Sequence, residues 1–221
     1  MIKLEQISKI YKTQGETIRA LDEVDLSIKE GEFVAIMGRS GSGKSTMLNI
    51  LGCMDKPSSG KYWLAGQDVS VLDDDALSKI RNEYIGFVFQ GFHLLPRLSA
   101  LENVLVPLRF SSAEKQQNGI ERAKELLTKV GLGDRIHHQS NEMSGGQIQR
   151  VAIARSLINN PAVLLADEPT GNLDSAISQQ IIDLLIDLNQ QGQTIVMVTH
   201  EPDIAENAGR TIEFLDGKIV S

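Results

Sequence analysis

Four short apolar runs punctuate an otherwise mixed chain: Phe33 to Met37, Ile85 to Phe89, Val163 to Ala166 and Thr194 to Val198. Being continuous rather than alternating, they predict strands buried on both faces. Between them, apolar residues recur at helical spacing. Ile120, Ala123, Leu126, Leu127 and Val130 share one helical face, with Gly131 where a C-terminal cap is expected. A second helix is expected from about Ser178 to Gln191, with Gly192 as its stop. Strands alternating with helices predict an α/β core in which a mainly parallel sheet is covered on both faces. The two ends differ. Ile2, Leu4 and Ile7, then Leu26 and Ile28, alternate like half-exposed strands around a polar loop at Thr13 to Glu16. Asp216-Gly217 is a turn dipeptide between strand-like flanks. The ends together predict a small antiparallel β subdomain. The interval from about residue 92 to 143 is mostly helical and reads as an inserted subdomain, carried to about residue 158 by the helix that follows.

The chain of 221 residues is 41% apolar and 23% charged, enough for a packed core and unlike a disordered segment. At about 150 residues per domain as a prior, it is expected to be one large domain or a core domain with a small appendage. The net charge of −7, without a block of Lys or Arg, offers no electrostatic footprint for nucleic acid or anionic lipid. Cys53 stands alone, so no intrachain disulfide can form and a reducing, cytoplasmic setting is expected. Met1-Ile2-Lys3-Leu4-Glu5 is not the start of a signal peptide. No window reaches the roughly 18 apolar residues of a membrane span.

Gly38-Arg39-Ser40-Gly41-Ser42-Gly43-Lys44-Ser45 fits G-x-x-x-x-G-K-[ST], after an expected strand and before an expected helix from Thr46 to Leu51. Glycines let backbone N–H groups wrap an anion, and the helix N-terminus adds partial positive charge. Lys44 is expected to bridge β- and γ-phosphates and Ser45 to ligate Mg²⁺. Asp167 and Glu168 close the apolar run before Pro169. In open α/β sheets that is the edge where ligands sit, which suits Asp167 as the Mg²⁺-side carboxylate and Glu168 as the base. A carboxylate pair at a strand end is also a common solvated feature, and the phosphate loop upstream is what favours chemistry here. Ser144-Gly145-Gly146-Gln147 opens a helix with Val151, Ala154, Leu157 and Ile158 on one face, readable as a helix cap or as an anion site. Gln90 and His200 each end an expected strand, either as turn residues or at the same edge as Ser45 and Glu168.

Taken together these motifs resemble the ATP-binding subunit of ABC transporters, over essentially the whole chain. The resemblance implies a P-loop NTPase core, ATP and Mg²⁺ as ligands, and ATP hydrolysis. It implies that Tyr11 stacks on adenine, that Gly38 through Thr46 hold the phosphates, and that Gln90 senses the γ-phosphate through Mg²⁺. Ser144 through Gln147 match the family signature, which contacts nucleotide held by a second copy. Asp167 and Glu168 match the Mg²⁺ and catalytic carboxylates, Asp174 the dimer-interface aspartate and His200 the switch histidine. Two departures stand out. Met143 replaces the usual Leu, with similar volume, and Gly171-Asn172-Leu173-Asp174 replaces Ser-Ala-Leu-Asp. The latter, with the segments 91–96 and 101–104, is similar to the macrolide-exporter and lipoprotein-releasing branch.

The resemblance further implies an ATP-driven homodimer and a separate integral membrane permease, with this chain peripheral on the cytoplasmic face of the inner membrane. A soluble ABC ATPase of translation or DNA maintenance is the alternative, but the interval from Gln90 to Ser144 is too short for its usual coiled-coil arm. A GTPase is disfavoured because no Asn-Lys-x-Asp sequence occurs. Phe92, Leu94, Leu95 and Leu98 are too apolar for an ordinary solvent loop and suggest either a partner groove or packing under the helical subdomain. Cys53 reads as a small buried hydrophobe, His137-His138 as a solvated loop, Asp73-Asp74-Asp75 as a cap for a helix from Ala76, and Tyr62-Trp63 as strand packing.

Overall fold

The computed structural model describes residues 1–12 and 15–220. Thr13 and Gln14, half of the expected polar loop, lie outside the described residues. Two sheets form. The first is antiparallel and contains β1 (Ile2–Lys12), β2 (Thr17–Ile28), β4 (Ser59–Leu64) and β5 (Gln67–Asp68), in the order β2-β1-β4-β5. The second holds β3 (Phe33–Gly38), β6 (Ile85–Val88), β7 (Val163–Asp167), β8 (Thr194–Val198), β9 (Arg210–Leu215) and β10 (Lys218–Ile219), in the order β10-β9-β3-β8-β7-β6. All its neighbours are parallel except β9 and β10.

The runs in β3, β7 and β8 are buried on both faces, whereas β6, at the edge of the sheet, leaves Ile85 and Phe87 half-buried; strand periodicity divides the runs between two cores. Phe33, Ala35, Leu164, Ala166, Ile195 and Met197 face one cluster, whereas Val34, Ile36, Val163, Leu165, Val196 and Val198 face the other. The first cluster lies under the helices. These are α3 (Ala100–Leu105), α4 (Ala113–Gln117), α5 (Gly119–Lys129), α6 (Gly145–Leu157) and α7 (Ser175–Gln190), although α4 has no buried residue of its own. The second cluster joins α1 (Lys44–Leu51) and α2 (Asp74–Tyr84) to the antiparallel sheet. The short α8 (Pro202–Ala205) follows β8 and closes against the first cluster through Ile204 and Ala205.

Several local expectations differ from the structure. The C-terminal hairpin does not join the antiparallel subdomain: β9 pairs in parallel with β3, placing the hairpin at the edge of the main sheet. Its turn is as expected, with Asp216 and Gly217 at φ of 48° and 79°. Helix α7 begins three residues before Ser178, because Asp174 accepts a hydrogen bond from Ile177 N and caps it. Ile120 leaves the apolar stripe of α5 and is 55% exposed, while Ala123, Leu127 and Val130 are buried. Helix α6 packs on α3, α5 and β6, so it lies against the insert and the sheet alike. Asp73 caps α2 by accepting from Ala76 N.

Leu165 is fully buried on the central strand β7. Leu165→Ala should lower the unfolding free energy by about 2–5 kcal/mol, read as a reduced urea midpoint at unchanged slope.

Candidate active site

Strand β3 ends at Gly38, where a Cβ would lie 2.4 Å from the carbonyl oxygen of Phe214. Gly43 sits at φ 108°, and a Cβ there would lie 2.5 Å from Ala20 O. Only glycine fits both positions, and between them the chain turns tightly into α1. Lys44 folds back over this turn, its Nζ donating to Gly38 O at 2.6 Å and Arg39 O at 2.9 Å. The ammonium is thereby held inside a ring of backbone with its charge unneutralised. Arg39, Ser40, Gly41, Ser45 and Thr46 line a cleft of about 1060 Å³. Ser42 does not line it. Its Oγ is buried beneath Gly38 without a hydrogen-bond partner, an orphaned polar atom in the cradle itself.

The opposite wall comes from the ends of β7 and β8. Asp167 is partly buried, and its carboxyl is raised above the ordinary range by burial and then by the neighbouring Glu168 charge, with Lys44 pulling the other way. Glu168 has φ 43°, a conformation uncommon for a side chain of its size, and its N–H donates to Val198 O at 2.9 Å. Its Oε1 lies 2.8 Å from His200 Nδ1. A carboxylate can only accept, so the ring donates from Nδ1. A cleft with a caged cation on one wall and two adjacent acids on the other suits a polyphosphate with a divalent cation between them. The donor set also fits Mg²⁺, with the Ser45 hydroxyl on the loop wall and Asp167 facing it.

A family model described as ABC transporter matches residues 21–171. The chain belongs to the ABC transporter family. It is an ATPase cassette of that family. It is 52% identical to the ABC transporter ATP-binding protein YvrO of Bacillus subtilis, over 100% of this chain and 96% of that one. It is also 52% identical to the macrolide export ATP-binding/permease protein MacB 1 of Yersinia pestis, but spans only 34% of that protein. Two dimeric structures of the ATP-binding cassette MJ0796, one bound to ADP and Pi after hydrolysis, match with TM-score 0.88 and 50% identity. Each match covers 100% of this chain and 97% of theirs.

Several expected site residues of the cassette stand outside the cleft. Tyr11 is on β1 directly opposite Ile18, which does line it. Gln90 lies beyond the end of β6 and leans on Gly171, where a Cβ would stand 2.6 Å from its Nε2. Asn172 Nδ2 donates to Gln90 O at 2.8 Å. The Gly171-Asn172 departure thus has a physical role, since Ser-Ala would crowd the amide and lose this bond. Ser144 and Gln147 form a reciprocal capping box at the start of α6. Gly146 lets that helix approach α7 closely, having room for no Cβ beside Ile177, while Gly145 faces Leu173 in the loop before α7. Met143 packs partly buried against the first core cluster. Asp174 is occupied as the α7 cap.

Sequence reasoning missed three polar anchors. Gln149 on α6 is wholly buried and its Nε2 donates to Pro169 O at 2.7 Å, tying the signature helix to the carboxylate loop. Arg155 donates to the carbonyls of Phe92 and His93, and the buried Asn103 side chain bonds both the N–H and the carbonyl of Leu95. A polar residue within a buried helical face was the signal available for Gln149.

The raised Asp167 yields a pH prediction. Its folded value lies above the unfolded 3.8, so the carboxylate costs stability once pH rises past the folded value. Asp167→Asn should therefore raise the melting temperature of nucleotide-free protein at neutral pH, and the gain should shrink as pH falls towards 4, measured by scanning calorimetry.

Proposed function

We propose that this cassette hydrolyses ATP to drive a separate membrane permease, closing as a head-to-tail dimer on two nucleotides. The convergence of Lys44, Asp167 and the Glu168–His200 pair on one cleft carries the reading. In it, Gly38 through Thr46 bind the phosphates, with Lys44 reaching the β- and γ-phosphates. Tyr11 stacks on the base. Ser45, Asp167 and Gln90 are the groups that would hold Mg²⁺, whose chemistry there is to neutralise phosphate charge. Glu168 takes the proton of the attacking water, and His200, hydrogen-bonded to it, orients the carboxylate. The first-turn N–H groups of α6, beside Ser144, Gly145, Gly146 and Gln147, face the nucleotide of the second copy, with Asp174 at the seam. The dimeric MJ0796 structures support this arrangement.

The permease reading is supported by the macrolide export relatives, named as ATP-binding/permease proteins. The surface for it is a groove of about 780 Å³ bordered by Phe87, Phe89, His93, Val106 and Pro107, with Phe110 78% exposed at its rim. The expected segment divides: Leu94 packs on the core cluster, Leu95 stays exposed, and His93 alone of residues 92–98 lines the groove. We place the chain peripherally on the cytoplasmic face of the membrane. The macrolide-exporter and lipoprotein-releasing likeness remains our reading of the branch.

Glu168→Gln should retain ATP binding while turnover falls about 10²- to 10⁴-fold, and dimers should accumulate with Mg·ATP in size-exclusion chromatography. Persistent hydrolysis by a monomeric variant would remove Glu168 from the mechanism. Phe110→Glu should reduce co-purification of the permease and leave ATPase activity of the isolated cassette intact; undiminished co-purification would move the docking surface elsewhere.

A further inference from the structure

The phenol of Tyr11 is held by Asp55, which no motif singles out, and by Thr46 of the phosphate loop. Its hydroxyl donates to Asp55 Oδ2 at 2.9 Å, and the Thr46 side chain lies within hydrogen-bonding reach of it. Asp55 Oδ1 accepts from Lys9 Nζ at 2.5 Å and from Lys56 N at 2.8 Å. Lys9 Nζ also donates to Lys56 O at 2.7 Å and stands 5.0 Å from the centroid of the Tyr11 ring. The Lys9 and Asp55 side chains are 13% and 31% exposed, so the pair is better shielded than a surface ion pair. Burial works against the Asp55 charge, but the hydrogen bonds from Lys9 and Tyr11 hold its carboxyl below the ordinary range. It therefore stays ionised at neutral pH.

This network spans two parts of the fold. Tyr11 and Lys9 belong to β1 of the antiparallel sheet, whereas Asp55 follows α1, the helix that opens at the phosphate loop, and Thr46 lies in its first turn. An aromatic ring on a strand can swing about two side-chain torsions. A hydrogen bond at its far end fixes the ring plane, and a fixed platform loses less freedom when a base stacks on it. Lys9 stands over one face of the ring.

We propose that Asp55, braced by Lys9, is a positioning residue that locks the Tyr11 ring for nucleobase stacking, so that affinity for the base, and not for the phosphates, depends on it. The inference rests on the reading that Tyr11 stacks on adenine. Its signature is a split between two ligands that share phosphates and differ in the base.

The test compares dissociation constants for ATP and for inorganic tripolyphosphate, each with Mg²⁺, together with kcat at saturating ATP. Asp55→Ala and Tyr11→Phe, which deletes only the hydroxyl, should each weaken ATP about 3- to 10-fold, a part of what stacking on an aromatic side chain provides. Tripolyphosphate affinity in both variants, and kcat in Asp55→Ala, should stay within about twofold, and the double variant should be no weaker than the worse single one. Parallel weakening of tripolyphosphate would overturn the proposal in favour of general support of the phosphate loop. Unchanged ATP affinity in both variants, with Tyr11→Ala still weakened, would overturn the positioning role while leaving stacking intact. Unchanged affinity in Tyr11→Ala would overturn the stacking reading itself. If Asp55→Ala does not fold, Tyr11→Phe alone decides.

Discussion

Strands β3, β7 and β8 are buried on both faces, and this one constraint places all of the chemistry. No charged side chain can leave such a strand into either core without losing its hydration, so polar groups appear only where the strands run out. Registers such as Ile36 with Val198 and Asp167 with Val198 bring those ends level. The phosphate turn, the two carboxylates and His200 therefore arrive at one edge, each just beyond an apolar run.

At that edge the backbone is held in conformations that isolated segments would not keep. Glu168 has positive φ, and its N–H and carbonyl are both engaged, the first with Val198 O and the second with Gly171 N. Gln149 secures the next carbonyl from the interior of α6. The turn at Gly38 is closed on its own lysine and against the hairpin through Gly217 N, which donates to Ser42 O. A carboxylate positioned this way loses little freedom on meeting a substrate, consistent with preorganisation as the main source of catalytic stabilisation.

The loops around the cleft are joined by polar bonds as well as by Leu94, Met143 and Leu173 packing on the first core cluster. Asn172 reaches Gln90, Gln149 reaches Pro169, and Arg155 reaches the segment that carries Phe92 and His93. The segment after Gln90 is thus bound to the aspartate loop on one side and to α6 on the other.

Much of this was readable from local pattern. Short apolar runs bounded by turn residues point to buried strands, and the glycines of residues 38–43 are needed wherever a backbone turns that tightly before a helix. Both are properties of short segments, so the α/β core and phosphate turn were legible without coordinates. What depended on pairing across long sequence separations was not. Strand β9 alternates like a subdomain strand, and only its parallel partner β3 puts it in the main sheet. Ile120 fits the apolar period of α5, yet no neighbouring element covers it. Asp55 and Gln149 carry no motif, and their roles exist because folding brings Tyr11 and Pro169 within hydrogen-bonding distance. Periodicity and turn chemistry act through neighbours along the chain, whereas a side chain's partner is set by where distant elements meet.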